Sequence, residues 1–281
     1  MRQATLSGGV AWQINSKTSI EADGVHAYGW KQLGSGDLNL PASGRITAAN
    51  PRPVPQFSQV GVMQNFTDSW YDALEVQARR RVGGGNSLQV SYTWSRSMID
   101  GVDFYSTFRG TQRTPQEYGY NSTDRTHNLS VSASQTLPWT IQFSVIARYL
   151  SGQPIGASAG VDLDGDGVTT GDRPPGLAPR VGRGDVAQQL ALMNQYRASI
   201  GLPPATLEML ELAPRKEIDA RFNKTFNLRG AQRMQIFLEA FNITNMVNWS
   251  NGTGNMRSNT FLVSRPGGTA RQIQWGGRYA F

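Results

Sequence analysis

The sequence predicts an all-β protein, an antiparallel transmembrane β-barrel segment, on three observations. Oily and polar side chains alternate along it, the alternating stretches are long, and the connections between them switch regularly between very short and very long.

The alternation is clearest in SLQVSYTW, where Leu88, Val90, Tyr92 and Trp94 face one way and Gln89, Ser91 and Thr93 the other, as the two-residue strand period requires. It recurs at Leu129, Val131 and Ala133, at Ile141, Phe143, Val145, Ala147 and Tyr149, and at Ile218, Ala220 and Phe222. These stretches predict about nine strands, over 4–14, 17–28, 70–82, 86–97, 126–137, 140–150, 215–228, 231–244 and 269–281. A strand of a soluble protein has about five or six residues, whereas a tilted strand needs roughly ten to cross a bilayer.

The strands are joined in pairs by Asn15-Ser16, Gly83 to Gly85, Pro138-Trp139 and Arg229-Gly230, and the pairs are separated by long segments at 29–69, 98–125, 151–214 and 245–268. Short periplasmic turns and long extracellular loops are the asymmetry of an outer-membrane barrel. Aromatic residues near strand ends, such as Tyr28, Trp30, Trp70, Trp139 and Tyr149, suit interfacial girdles. With the oily side toward lipid, Gln89, Ser91, Gln142 and Arg148 become candidate lumen-facing groups. The 151–214 loop is long enough for short helices: Asp185 reads as an N-cap, Val186, Leu190 and Met193 as an apolar stripe, and Gly201 as a terminator ahead of Pro203-Pro204. TLEMLELAP adds a further turn of helix, and the loop as a whole is expected to fold into an extracellular cap.

Composition excludes other classes. Hydrophobic residues make up only 38% of the chain, and no apolar stretch approaches the roughly eighteen residues of a spanning helix, so a membrane role must use strands. Cysteine is absent, which removes disulfides and thiolate chemistry. The net charge of +7 is spread along the chain, so nucleic acid is not an expected partner; the run Arg79 to Arg81 reads as a strand end at a polar interface. The start, MRQATLSGGVAWQ, lacks the basic and apolar regions of a secretory signal.

The sharpest polar motif is DLDGDGVTTGD. Asp162, Asp164 and Asp166 hold the first, third and fifth positions of a Ca2+-type loop and Gly167 the sixth; alternate carboxylates in a tight loop converge on one hard cation. Position twelve is Arg173 rather than a bidentate glutamate, so Asp172 is the candidate that completes the shell. An acidic glycine-rich turn that binds nothing is the plainer reading. His26 and His127 have no carboxylate or second histidine at ligand spacing, no serine sits in a nucleophile elbow, and the chain is not expected to be an enzyme.

The chain stops on IQWGGRYAF, with Ile273, Trp275, Tyr279 and Phe281 in one phase. An exposed last strand ending on an aromatic resembles the signal read by the outer-membrane barrel-assembly machinery. More broadly, YDALEVQARRRVGGGNSLQVSYTWSRSMID, NSTDRTHNLSVSASQTLP, SGQPI with DLDGDGVTTGDRPPG, RFNKTF, MQIFLEAFNITNMVNW and the terminal RYAF resemble the C-terminal barrel portion of TonB-dependent receptors, and among them the Oar-like receptors. The resemblance implies about nine strands of a 22-stranded barrel that would enclose a plug. Residues 1–281 would then be a partial receptor barrel, with signal peptide, plug and earlier strands outside the sequence and an odd strand count that cannot close alone. It implies ligand uptake across a Gram-negative cell outer membrane, inactive in the fragment alone. The expected partners are lipopolysaccharide, the assembly machinery, TonB through the N-terminal part, and an unidentified extracellular ligand. A secreted, calcium-stabilised β-sandwich adhesin or structural module is the rival; it would cover the oily strand faces with a second sheet.

Overall fold

The computed structural model describes residues 1–101, 107–108, 118–169 and 171–281. Its strands are β1 (Arg2–Asn15), β2 (Thr18–Asp37), β3 (Gly61–Gly83), β4 (Asn86–Ile99), β5 (Thr107–Phe108), β6 (Gly119–Tyr120), β7 (His127–Leu137), β8 (Ile141–Leu150), β9 (Ile155–Gly156) and β10 (Arg180–Val181). Helix α1 (Val186–Ser199) precedes β11 (Arg215–Asn227), β12 (Arg233–Phe241), β13 (Asn248–Ser250), β14 (Arg265–Gly267) and β15 (Gln272–Ala280). One sheet runs β1-β2-β3-β4-β7-β8-β11-β12-β15 with every neighbour on this path antiparallel. All its short turns lie at one end and all its long connections at the other.

The expected barrel wall is corrected by this topology. The sheet neither closes nor curls into a cylinder: β1 and β15 are its two open edges. Strict alternation across nine strands leaves β1 and β15 running in the same direction, so a seam between them would need a parallel ladder, unlike the eight antiparallel pairings of the path; the short β5 beside β2 is parallel. Among the described residues no helix is long and apolar enough to cross a membrane.

Register gives the open sheet two chemically distinct faces. Partners opposite one another in antiparallel strands point to the same side. One row reads Trp12, Ile20, Ala78, Val90, Val131, Ala147 and Ile218 across β1 to β11. The neighbouring row reads Glu21, Gln77, Ser91, Ser130, Arg148 and Glu217, on the other face. The oily face is uncovered: Leu74, Trp94, Leu238 and Trp275 are all exposed. A second sheet over that face is what the sandwich reading needs, and none packs there among the described residues.

Two strands outrun their sequence signal. β2 and β3 were expected to end at 28 and begin at 70, but pairing continues past a bulge between Gly29 and Gln32 to Asp37 and Gly61, so the loop shrinks to 38–60. Beyond Trp30 the side chains Gln32, Ser35 and Asp37 no longer alternate with oily ones, although the backbone ladder persists. The expected loop at 245–268 likewise contains the β13–β14 ribbon.

The buried apolar core lies in the long connections. Ile155, Leu177, Val181, Met193, Leu210, Met256, Phe261 and Leu262 form one cluster that joins the 151–214 and 242–271 segments. The expected helix forms: Asp185 Oδ1 accepts from Gln188 N at 3.0 Å. At its C-terminus Gly201 takes φ +72°, its N–H reaches Ala198 O, and Leu202 N reaches Arg197 O at 2.9 Å. This Schellman closure needs the left-handed conformation that glycine adopts without penalty. Arg197 is buried where α1 meets the second segment, donating to Pro203 O at 2.7 Å and Met256 O at 2.5 Å, with its guanidinium 4.6 Å from the Phe261 ring centroid.

Met193 is fully enclosed in this cluster. Met193→Ala should cost about 2–5 kcal/mol of local stability. Hydrogen exchange should show lost protection in α1 and near Met256, with β7 and β8 unchanged; uniform loss across the sheet would contradict a separately cored cap.

Candidate cation site and the polar face beneath the loops

The acidic loop forms a compact cluster. Carboxylate oxygens of Asp162, Asp164, Asp166 and Asp172 all lie within 4.8 Å of one another. Loop N–H groups donate to them: Asp162 accepts from Gly165 N at 2.6 Å and Gly167 N at 2.9 Å, Asp164 from Asp166 N at 3.1 Å, and Asp166 from Val168 N at 2.8 Å. Asp172 accepts from Leu163 N at 2.9 Å and Asp164 N at 3.3 Å, which folds the end of the motif back onto its start. Gly167, at φ +86°, makes the turn the motif requires, and an added Cβ would meet Arg52 Nη2 at 2.5 Å. Arg173 donates to Gly171 O at 2.7 Å, and Asp172 supplies the fourth carboxylate of the cluster. Thr170 lies outside the described residues.

Electrostatics separate the four acids. Burial, followed by the like charges of Asp164, Asp172 and Asp162, pushes Asp166 up to about 6, despite its bond from Val168 N. Burial also opposes the Asp162 charge, but N–H donors from Gly167 and Gly165 outweigh it and hold that carboxyl below its usual range. Mutual repulsion among clustered carboxylates is what a divalent cation relieves, and this donor set can coordinate one.

The cluster is anchored across loops. Arg52 donates to Asp166 O at 2.9 Å while its other nitrogen pairs with Asp37 at 3.0 Å, and Ile46 N reaches Gly165 O at 2.7 Å. A second arginine ties the neighbouring connection. Arg183 Nε lies 2.9 Å from the buried Asp124 carboxylate, a Coulombic contact not aligned as a hydrogen bond, and Arg183 also donates to Thr126 Oγ1 and, at 2.6 Å, to Gly152 O. Burial raises the Asp124 pKa, with Ser97 N–H, Arg183 and Arg96 acting against it. These ties were invisible in the sequence, since each spans at least two separate segments.

Of the other candidate residues, Gln89, Ser91, Gln142 and Arg148 share the polar face of the open sheet. Gln77 Nε2 donates to Ser91 Oγ at 3.0 Å, and Glu217 lies 3.9 Å from Arg148 and 3.1 Å from Arg215. Further along, Arg221 pairs with Glu239 at 2.8 Å, and Gln274 reaches Glu239 at 2.5 Å. Where this face meets the loops, a cavity of about 510 Å³ is lined by Tyr71, Glu75, Thr93, Ser97, Asp124 and Arg125, among others. Ile273, Trp275 and Tyr279 project exposed from the oily face of the edge strand β15, and Phe281, one residue past its end, is exposed too. The two histidines sit on the oily face, with partners only the fold supplies: His26 Nδ1 is 2.6 Å from Asp72 Oδ1, and His127 Nδ1 is 2.8 Å from Tyr92 OH. Neither pairing is with a serine.

The family model described as outer membrane beta barrel domain matches residues 4–274. No curated protein matches the chain.

Cation binding should weaken as pH falls through about 6, where Asp166 takes up its proton. The sign for the cation-free protein is opposite. Its folded state holds that proton more tightly than the unfolded chain, so the contribution is present below the ordinary carboxylate value of 3.8 and is lost as pH rises to about 6. Melting of the cap with and without a divalent cation across this window checks both slopes; Asp166→Asn should flatten the cation-free one.

Proposed function

Because the chain belongs to the outer membrane beta barrel domain family, we propose that it works in the outer membrane of a Gram-negative cell as part of a TonB-dependent receptor of the Oar-like kind, taking up an extracellular ligand. Family membership accords with a transport or receptor role that is not catalytic. The observation that carries the reading is the register: nine strands keep long rows of apolar side chains on one uncovered face, with Glu21, Arg148, Glu217, Arg221 and Glu239 on the other. In water, uncovered apolar surface on this scale marks an interaction face. Acyl chains are the partner whose extent and chemistry suit a whole sheet.

In this reading the loop end faces outward beside lipopolysaccharide, and the polar face with Gln89, Ser91, Gln142 and Arg148 borders the ligand's path. Ile273, Trp275 and Tyr279 of β15, with the Phe281 that follows it, engage the assembly machinery, and coupling to TonB drives uptake. Backbone groups along the outer edges of β1 and β15 must find partners wherever lipid surrounds them, so both edges require neighbouring strands. Ca2+ is the cation assigned to Asp162, Asp164, Asp166 and Asp172, because an all-oxygen, flexible loop suits its larger coordination shell better than that of Mg2+.

Adjacent residues on opposite faces test the membrane reading. Val131→Arg should cost about 2–4 kcal/mol in lipid and deplete the protein from the membrane fraction, whereas Ser132→Arg should be tolerated. Equal tolerance of both, or a full-length protein found soluble in the periplasm, would sink it. For the cation, titration calorimetry should give tighter binding of Ca2+ than of Mg2+, abolished by Asp172→Asn; a preference for Mg2+ would overturn the assignment.

A further inference from the structure

A second hollow opens where the strand ends meet the loops. Its volume is about 310 Å³, and Arg125, Gln153, Arg215, Asn248 and Trp249 are among its walls. Among the described residues two arginines line it and no acidic residue does. We infer that this hollow binds an oxyanion, a carboxylate or phosphate group carried by the extracellular ligand, between the guanidinium groups of Arg125 and Arg215.

The charge balance around the hollow carries the inference. Arg183 is matched by Asp124 at 2.9 Å. Arg215 has Glu217 at 3.1 Å, but that carboxylate also lies 3.9 Å from Arg148, so one anion serves two cations. Arg125 donates to Ser151 O at 2.5 Å, a neutral acceptor, and no carboxylate pairs with it among the described residues. Burial, and then the charges of Arg215 and Arg183, pull the Arg125 pKa down, as expected of a cation held among cations. Guanidinium forks present paired N–H donors that match the two oxygens of a carboxylate or phosphate.

The hollow is also built in advance. Asn251 accepts from Ala213 N at 3.0 Å and donates to Gln153 O at 2.5 Å, which joins three segments around it. Asn248 clamps the Lys216 backbone through both its oxygen, at 2.6 Å, and its nitrogen, at 2.9 Å. These two amides are spent on structure, and the arginines are the charged groups left to answer a ligand. Half-exposed Trp249 adds an apolar wall at the mouth, suited to an organic body attached to the anion.

The inference deepens the receptor reading by naming its ligand class, and rests on that reading for the ligand's origin. The test is calorimetric titration of the full chain in lipid nanodiscs with inorganic phosphate, with citrate and with uncharged glucose. Phosphate or citrate should bind saturably and glucose should not; the stronger of the two anions tells which group the ligand carries. Arg125→Gln and Arg215→Gln should each weaken binding at least tenfold, Arg125→Lys less so, and Arg257→Gln, an exposed cap arginine outside the hollow, should leave it unchanged. Arg215 is at the rim, so its variant guards against a mere folding defect at Arg125. Retained affinity in both glutamine variants, or equal loss in Arg257→Gln, overturns the site. Failure of cellular uptake with anion binding intact would instead count against the receptor reading.

Discussion

A slip of one residue in any of the strand pairings would carry that strand's oily side chains onto the polar face, and this constraint governs the rest of the molecule. Eight successive pairings hold the same phase, from Val10 opposite Ala22 at one edge to Leu238 opposite Trp275 at the other. Each row of apolar side chains favours the register that keeps its neighbours together, because a displaced strand would set Leu or Val against Arg, Glu or Ser. The sheet owes its chemistry to that agreement. An oily face interrupted by the His26–Asp72 pair, and a face bearing Arg148, Glu217, Arg221 and Glu239, exist because the eight pairings keep one phase up to the bulge after Gly29.

At the loop end the organising groups are arginines. Arg52, Arg183 and Arg197 each reach backbone carbonyls in segments distant in sequence, and two of them also meet a carboxylate. A planar cation with five donors can satisfy several buried acceptors at once, which suits the junction of loops that have no ladder to share. The result is a cap with its own apolar core, standing on a sheet whose apolar surface is left for a different environment. The acidic cluster belongs to this architecture: the Gly165 to Gly167 turn is held against Ile46 and Arg52, so the spacing of its carboxylates is set by contacts from another loop.

The phase of the nine long strands and the helix from Val186 to Ser199 are legible because they depend on local period and capping, signals carried by neighbours in sequence, whereas the short strands β5, β6, β9, β10, β13 and β14 carry no such period. The reach of β2 and β3 to Asp37 and Gly61 is not legible, since polar residues there keep the ladder without keeping the alternation. Closure is not legible for a related reason. Period reveals how each strand divides its faces, yet whether β1 and β15 meet is a property of the whole sheet. At the candidate sites, Asp162, Asp164 and Asp166 announced themselves by spacing and Asp172 followed from the departure at Arg173. Arg125 and Arg215 stand ninety residues apart with nothing local to link them.

By itself, then, the sequence determined the two-faced character of the strands, the one-sided placement of the long connections and the acidic motif, because each arises from residues within a few positions of one another. The open edges, the common core of two loops, the partners of His26 and Asp124, and the arginine-lined hollow were decided only in three dimensions. They depend on contacts between distant segments, and such contacts are set by how the strands align and how the loops then pack above them.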